Sequence, residues 1–295
     1  MKLRLKLNQG IKTILLMICI INLLLQVGCK ENDSIPEERI ENLGGYKPKG
    51  NPIIDNWILN NLTKPFNVTV KYQYDPFEVD FMKNTAPAKQ ELVIPVMELV
   101  RKCMISPYIE NSDSATVKKI IPKLWVLIGS AEYNSNGTMV LGQAEGANKI
   151  TIMDINKFTN TREFVESTNY TVHHETAHIL HQTKMYTPLF KFVNPDMYTT
   201  TWNNYTDKEA INFGFVRNYA MASSDEDFVE TISYLLVRGQ DAFDKLVSQS
   251  SAVGKNRLRL KEQYVVEYFN EKWSVNFRDL QKNVKESIDQ YLATK

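Results

Sequence analysis

All four histidines of this 295-residue chain fall within nine positions: His173, His174, His178 and His181. Inside the cluster lies His174-Glu175-Thr176-Ala177-His178, an H-E-x-x-H pattern, and its spacing dictates a local structure. On a helix, residues four apart sit roughly 40° apart around the axis and about 6 Å apart along it. Two imidazoles placed that way can reach one tetrahedral zinc at about 2.0–2.1 Å. Glu175 falls roughly 100° round from His174, beside the metal rather than on it. There its carboxylate can take a proton from a water that zinc acidifies to a pKa of about 7. Val172, Ile179 and Leu180 give such a helix an apolar side, and Thr168-Asn169 offers it a cap. His181 shares the face of His174 but lies about 10 Å further along, and His173 is turned away by about 100°. Both are therefore expected to pack or to support the ligands rather than to bind metal.

A catalytic zinc has three protein ligands and one open position. No fifth histidine exists, and the three cysteines are accounted for otherwise. Cys19 and Cys29 belong to the first segment of the chain, while Cys103 lies in an apolar helical stretch, Val96 to Ile105, and reads as a buried small hydrophobe. The third ligand is then a carboxylate. Ser224-Asp225-Glu226-Asp227-Phe228-Val229-Glu230 offers the best cluster, opening a helix whose apolar face is Phe228, Ile232, Leu235 and Leu236. Glu226 and Glu230, four apart, share another face. The same stretch also reads as a helix start, with Ser224 and Asp227 as a capping box and acids favoured by the helix dipole. The residues alone leave Glu226, Asp227 and Glu230 as competing ligands.

The first 28 residues read as a secretion signal: Lys2, Arg4, Lys6 and Lys12 precede an apolar run, Ile14 to Leu25, shorter than a membrane span needs. Leu25-Gln26-Val27-Gly28-Cys29 resembles a bacterial lipoprotein box, with Gln26 in place of the usual aliphatic residue, and implies lipidation of Cys29. Lys30-Glu31-Asn32-Asp33 resembles the charged tag of lipoproteins exposed on the outer membrane of Gram-negative bacteria. Residues 29–51, charged and carrying Pro36, Gly44, Gly45, Pro48 and Gly50, are expected to form a flexible tether. Of 35 Lys and Arg against 34 Asp and Glu, four cations and no acids lie in the signal, which leaves 31 against 34. A weakly acidic mature chain has no electrostatic footprint for nucleic acid.

The body, 52–295, reads as two halves. In 52–184, Phe66 to Tyr72, Leu124 to Ile128, Thr138 to Gly142 and Lys149 to Met153 are strand candidates. Gln90 to Met104 has helical spacing, with Pro95 marking a start or kink. In 185–295 helical patterns dominate and end in two amphipathic segments, Asn256 to Lys272 and Val275 to Leu292. A sheet-bearing half followed by a helical half makes an α+β fold.

His173 to Gln182, taken with Gly214-Phe215-Val216, Tyr219-Ala220 and Asp225 to Glu230, resembles a family of zinc-binding metallopeptidase lipoproteins. They are also called substrate import-associated zinc metallohydrolase lipoproteins. More distantly the chain is similar to gluzincins of the lethal-factor and Pro-Pro endopeptidase type, in which a Tyr is followed after six residues by Glu-x-x-x-Glu. That pattern falls on Tyr219, Glu226 and Glu230, with Asp227 where the relatives usually carry an aromatic residue. The resemblance implies a zincin-like fold with His174, His178 and Glu226 on zinc, Glu175 as base and Tyr219 as donor to the oxyanion. Glu230 would support a ligand histidine. It also implies a peptide or protein substrate, possible importer components as partners, and as the rival role a zinc-containing lipoprotein that binds substrate for an outer-membrane importer. An edge strand, Thr138 to Gly142, would hold an extended peptide by strand addition.

Overall fold

The Asn51 side chain opens the folded body by accepting from the Ile53 amide at 3.1 Å, which caps helix α1 (Pro52–Ile58). In the computed structural model the described residues are 50–293 except 81, 114, 115, 117, 118, 136 and 147. The signal segment, Cys29 and nearly all of the tether lie outside them. After α1 the helix continues through a π turn, Leu59–Thr63, and closes at Lys64–Phe66. Asn67 then adopts a left-handed conformation, φ 54°, and strand β1 (Thr69–Lys71) begins. The expected strand from Phe66 to Tyr72 is thus shortened, because Phe66 ends a helix and Asn67 turns the chain.

Helix α2 (Gln90–Val100) runs through Pro95 rather than starting there, held by the buried side chains of Val93, Val96, Met97, Leu99 and Val100. It widens into a π turn, Arg101–Ile105, before α3 (Ser106–Glu110). Next come β2 (Leu124–Leu127), β3 (Glu132–Tyr133), β4 (Met139–Val140), β5 (Gly142–Glu145) and β6 (Lys149–Ile152). The main sheet has the order β1-β2-β6-β5, parallel except for β5 against β6. Its central strands, β2 and β6, bury Trp125, Val126, Leu127, Ile150, Thr151 and Ile152, as continuous apolar runs between two covered faces should.

Thr138 to Gly142 is not one strand. β4 pairs with β3 in a separate hairpin, and the chain changes sheets at Leu141, whose carbonyl accepts from the Met153 amide at 2.9 Å. The edge strand of the main sheet next to the helix that carries the histidines is therefore β5, one step further along the sequence.

The rest is helical: α4 (Arg162–Thr183), α5 (Asp207–Phe213), α6 (Ser224–Gln249), α7 (Ala252–Trp273) and α8 (Phe277–Ala293). α4 packs between the sheet edge and α6, and α6 packs against α7 and α8. Thr168-Asn169 does not cap α4. The helix starts at Thr161, because buried Val165 extends the apolar stripe toward the N-terminus, and the Asn169 amide donates to the Val165 carbonyl inside the helix. The α+β architecture sets one helix carrying the histidines against another carrying the carboxylates. Among the described residues no helix is long and apolar enough to cross a membrane.

Candidate metal centre

α4 carries His174, Glu175 and His178, all but His178 buried, and α6 brings Glu226 across to them. The Nε2 atoms of His174 and His178 lie 3.1 Å apart, and Glu226 Oε2 lies 3.2 Å from the first and 3.5 Å from the second. A tetrahedral ion held at about 2.0–2.1 Å would separate its donors by about 3.3–3.4 Å. The electrostatics fit as well. Two facing Nε2 atoms can share at most one proton, and Glu226 Oε2 is buried with no hydrogen-bond donor. Burial opposes a charge on His174, yet the Glu226 and Glu230 carboxylates outweigh it and push its pKa up to about 10. This pocket is arranged to hold positive charge. Among the described residues, His174, His178 and Glu226 are the group whose donor atoms converge in this way.

The helix start on α6 is set one residue earlier than the spacing suggests: Ser223, not Ser224, is the cap, accepting from the Glu226 amide at 3.1 Å. That cap fixes the first turn from which Glu226 projects. Glu230, one turn on and fully buried, lies 2.9 Å from His174 Nδ1, although not aligned as a good hydrogen bond. Two residues that the sequence did not single out hold it. Arg217 grips both carboxylate oxygens, with Nη2 2.5 Å from Oε1, and the Tyr170 hydroxyl donates to Oε2 at 2.6 Å. Tyr170 stands four residues before His174, so its place on the same helix face was available from the spacing. Arg217 comes from the irregular segment between α5 and α6, where no periodicity could point to it.

His181 faces the other histidine of this group, its Nε2 3.1 Å from His178 Nδ1, and does not join the converging donors. His173 is turned into the core, stacked on Tyr108 with Nε2 3.3 Å from the Cys103 carbonyl. Cys103 is buried and free, its thiol pushed up to about 12 by burial. Asp227 is not part of a cap. It is fully buried, with Oδ2 2.6 Å from Lys261 Nζ and 2.9 Å from the Tyr198 hydroxyl. α7 lies over α6 at this point and turns what looked like a solvated acid into half of an internal ion pair. Lys261 occupies the apolar stripe Leu258, Val265, Phe269 of α7, a charged residue in a core position that the sequence displayed.

Glu175 has its pKa raised chiefly by burial, against the pull of His174 and His178. Tyr219, on a short turn, Asn218–Met221, places its ring 6.1 Å from that of His174, edge-on to Trp202 at 4.9 Å. Burial and then the Glu226, Glu230 and Glu175 charges raise its pKa, so its hydroxyl keeps its proton. His174, Glu175, Arg217 and Tyr219 all open onto one cleft of about 810 Å³, which Met139 to Gly142 also line.

A family model described as "Putative zinc-binding metallo-peptidase" matches residues 48–278. The crystal structure of a putative zinc-binding metallo-peptidase from Bacteroides caccae ATCC 43185 is similar at 29% identity, with a TM-score of 0.69. The alignment covers 81% of this chain and 92% of that one. No curated protein matches the sequence.

Proposed function

The chain belongs to the zinc-binding metallo-peptidase family, and from that premise we propose that it hydrolyses peptide bonds with His174, His178 and Glu226 holding zinc. The observation that carries this reading is the convergence of three donor atoms at 3.1, 3.2 and 3.5 Å beside a buried Glu175. Zinc held by these three residues would supply Lewis acidity toward the scissile carbonyl and would make water easier to deprotonate. Glu175 takes the proton, its basicity raised by burial. The Tyr219 hydroxyl donates to the oxyanion of the tetrahedral intermediate. Glu230 orients the His174 ring through Nδ1.

The substrate lies extended along the edge strand β5. A Cβ at Gly142 would fall 2.4 Å from Thr171 Cγ2 and 3.1 Å from Glu175 Oε1. Glycine there lets the strand lie against the catalytic helix. Strand addition at this edge then brings a peptide bond beside Glu175.

Glu175→Gln is expected to keep one zinc per chain while peptide hydrolysis falls at least about a hundredfold, the scale of a general base. Metal analysis and cleavage of a peptide library measure both. Turnover close to that of the parent would remove Glu175 from the mechanism. Zinc binding with no cleavage by the parent would favour the rival role, capture of substrate for an outer-membrane importer.

The Leu25-to-Cys29 box supports a lipid anchor on Cys29, and the charged Lys30-to-Asp33 tag behind it supports an outer-membrane location with exposure on the cell surface. Cys29→Ser is expected to move the protein from the membrane to the soluble fraction. Retention through a high-salt wash would point to an uncleaved apolar anchor instead.

A further inference from the structure

Arg217 makes two kinds of contact through its guanidinium. Its edge is committed to Glu230: Nε meets Oε2, and Nη2 lies 2.5 Å from Oε1. Its charged centre also lies near two aromatic rings, with Cζ 4.8 Å from the centroid of Tyr170 and 5.5 Å from that of Tyr219. Tyr170 closes the arrangement by donating to the same Glu230 oxygen that Nε contacts. Glu230 in turn faces His174 Nδ1, and the Tyr219 ring lies 6.1 Å from the His174 ring. One side chain therefore meets both the carboxylate that faces a ligand and the tyrosine beside it.

We propose that Arg217 is the positioning residue of this centre, fixing Glu230 behind His174 and Tyr219 beside the reacting carbonyl at once. The inference rests on the zinc and oxyanion roles assigned above. The physical case is one of geometry. A carboxylate with no exposed surface keeps its orientation only if its lone pairs are filled, and a bidentate guanidinium fills two of them along fixed directions. Tyr219 sits on a short turn rather than on a long helix. Trp202 braces its ring edge-on, and the flat cation packs against it. A lysine could neutralise Glu230, but as a point charge on a flexible stem it offers neither the fork nor the flat face.

The test uses Arg217→Lys, Arg217→Gln and Glu230→Gln in the full mature chain, with thermal melting to establish that each is folded. Zinc affinity is read by chelator competition. Arg217→Lys and Arg217→Gln are each expected to weaken zinc about 10- to 100-fold, the usual weight of a group that orients a ligand. In the Glu230→Gln background Arg217→Lys is expected to add less than about threefold, because both changes act through one carboxylate. The second readout is 3-fluorotyrosine at position 219, observed by ¹⁹F NMR. A single sharp signal in the parent is expected to broaden or split in both Arg217 variants and to stay sharp in Glu230→Gln.

Unchanged zinc affinity together with an unchanged ¹⁹F signal in folded Arg217→Lys would overturn the proposal. A rise in KM alone, with kcat and zinc affinity preserved, would overturn it too and make Arg217 a substrate-binding residue. Neither zinc affinity nor the ¹⁹F signal depends on turnover. A parent that binds zinc yet cleaves no peptide would sink the peptidase reading while leaving Arg217 to be judged by them.

Discussion

Replacing Glu226 by Ala is expected to weaken zinc binding by well over a hundredfold, while Glu230→Ala weakens it about 10- to 100-fold. The ranking follows from position. Glu226 Oε2 stands 3.2 and 3.5 Å from the two histidine nitrogens, at donor-to-donor distances within one coordination sphere. Glu230 instead lies 2.9 Å from His174 Nδ1, on the other ring nitrogen from the one that faces Glu226. Losing it frees the ring to rotate but removes no ligand, and groups in that role typically matter about 10- to 100-fold. Losing Glu226 leaves two imidazoles without the carboxylate that faces both of their Nε2 atoms. Chelator competition on the purified variants ranks them directly, and a larger loss for Glu230→Ala than for Glu226→Ala would reassign the third ligand. His181→Ala is expected to fall in the weaker class, since its Nε2 meets His178 Nδ1 and not the site.

The H-E-x-x-H helix and the Glu226/Glu230 pair were legible because both rest on helical spacing of four, which fixes a shared face without any knowledge of the fold. Choosing among the carboxylates was a different problem. Asp227 lies next to Glu226 in a run of acids at a helix start, where local rules favour acids as helix-dipole partners. Only the third dimension shows α7 covering it. Arg217 was invisible for a related reason: it comes from an irregular segment, and its partners lie 13 and 47 residues away in sequence, at Glu230 and Tyr170. The edge strand was misplaced by a few residues because the apolar run Met139-Val140-Leu141 continues without a break. Nothing local shows that the chain leaves one sheet for another there.

Asp227→Ala is expected to destabilise the protein by about 3–5 kcal/mol, the cost of leaving one member of a buried ion pair without its partner. For a body of this size that corresponds to a fall in Tm of about 6–20 °C. Lys261 is fully buried, and among the described residues its carboxylate partner is Asp227, with Oδ2 at 2.6 Å. It also meets the Gly214 carbonyl at 2.7 Å and the Phe215 and Phe190 rings, whose centroids are 4.0 and 6.0 Å from Nζ. Burial already lowers the Lys261 pKa and raises that of Asp227, so each tolerates its charge mainly because the other is present. An ordinary helix cap would cost about 1 kcal/mol, which separates the two readings cleanly. Asp227→Ala/Lys261→Met is expected to recover most of the loss, because an apolar pair of similar shape carries no uncompensated charge. Zinc affinity of Asp227→Ala, measured below its melting range, is expected to stay within about tenfold of the parent, less than the loss of a ligand and near the lower end of the ligand-orienting class. Asp227 faces α7 and Glu226 faces the histidines, so the two neighbours answer to different partners. A melting shift of only a few degrees with no rescue by the double variant would return Asp227 to the role of a cap, and a zinc loss exceeding that of Glu226→Ala would make it the ligand.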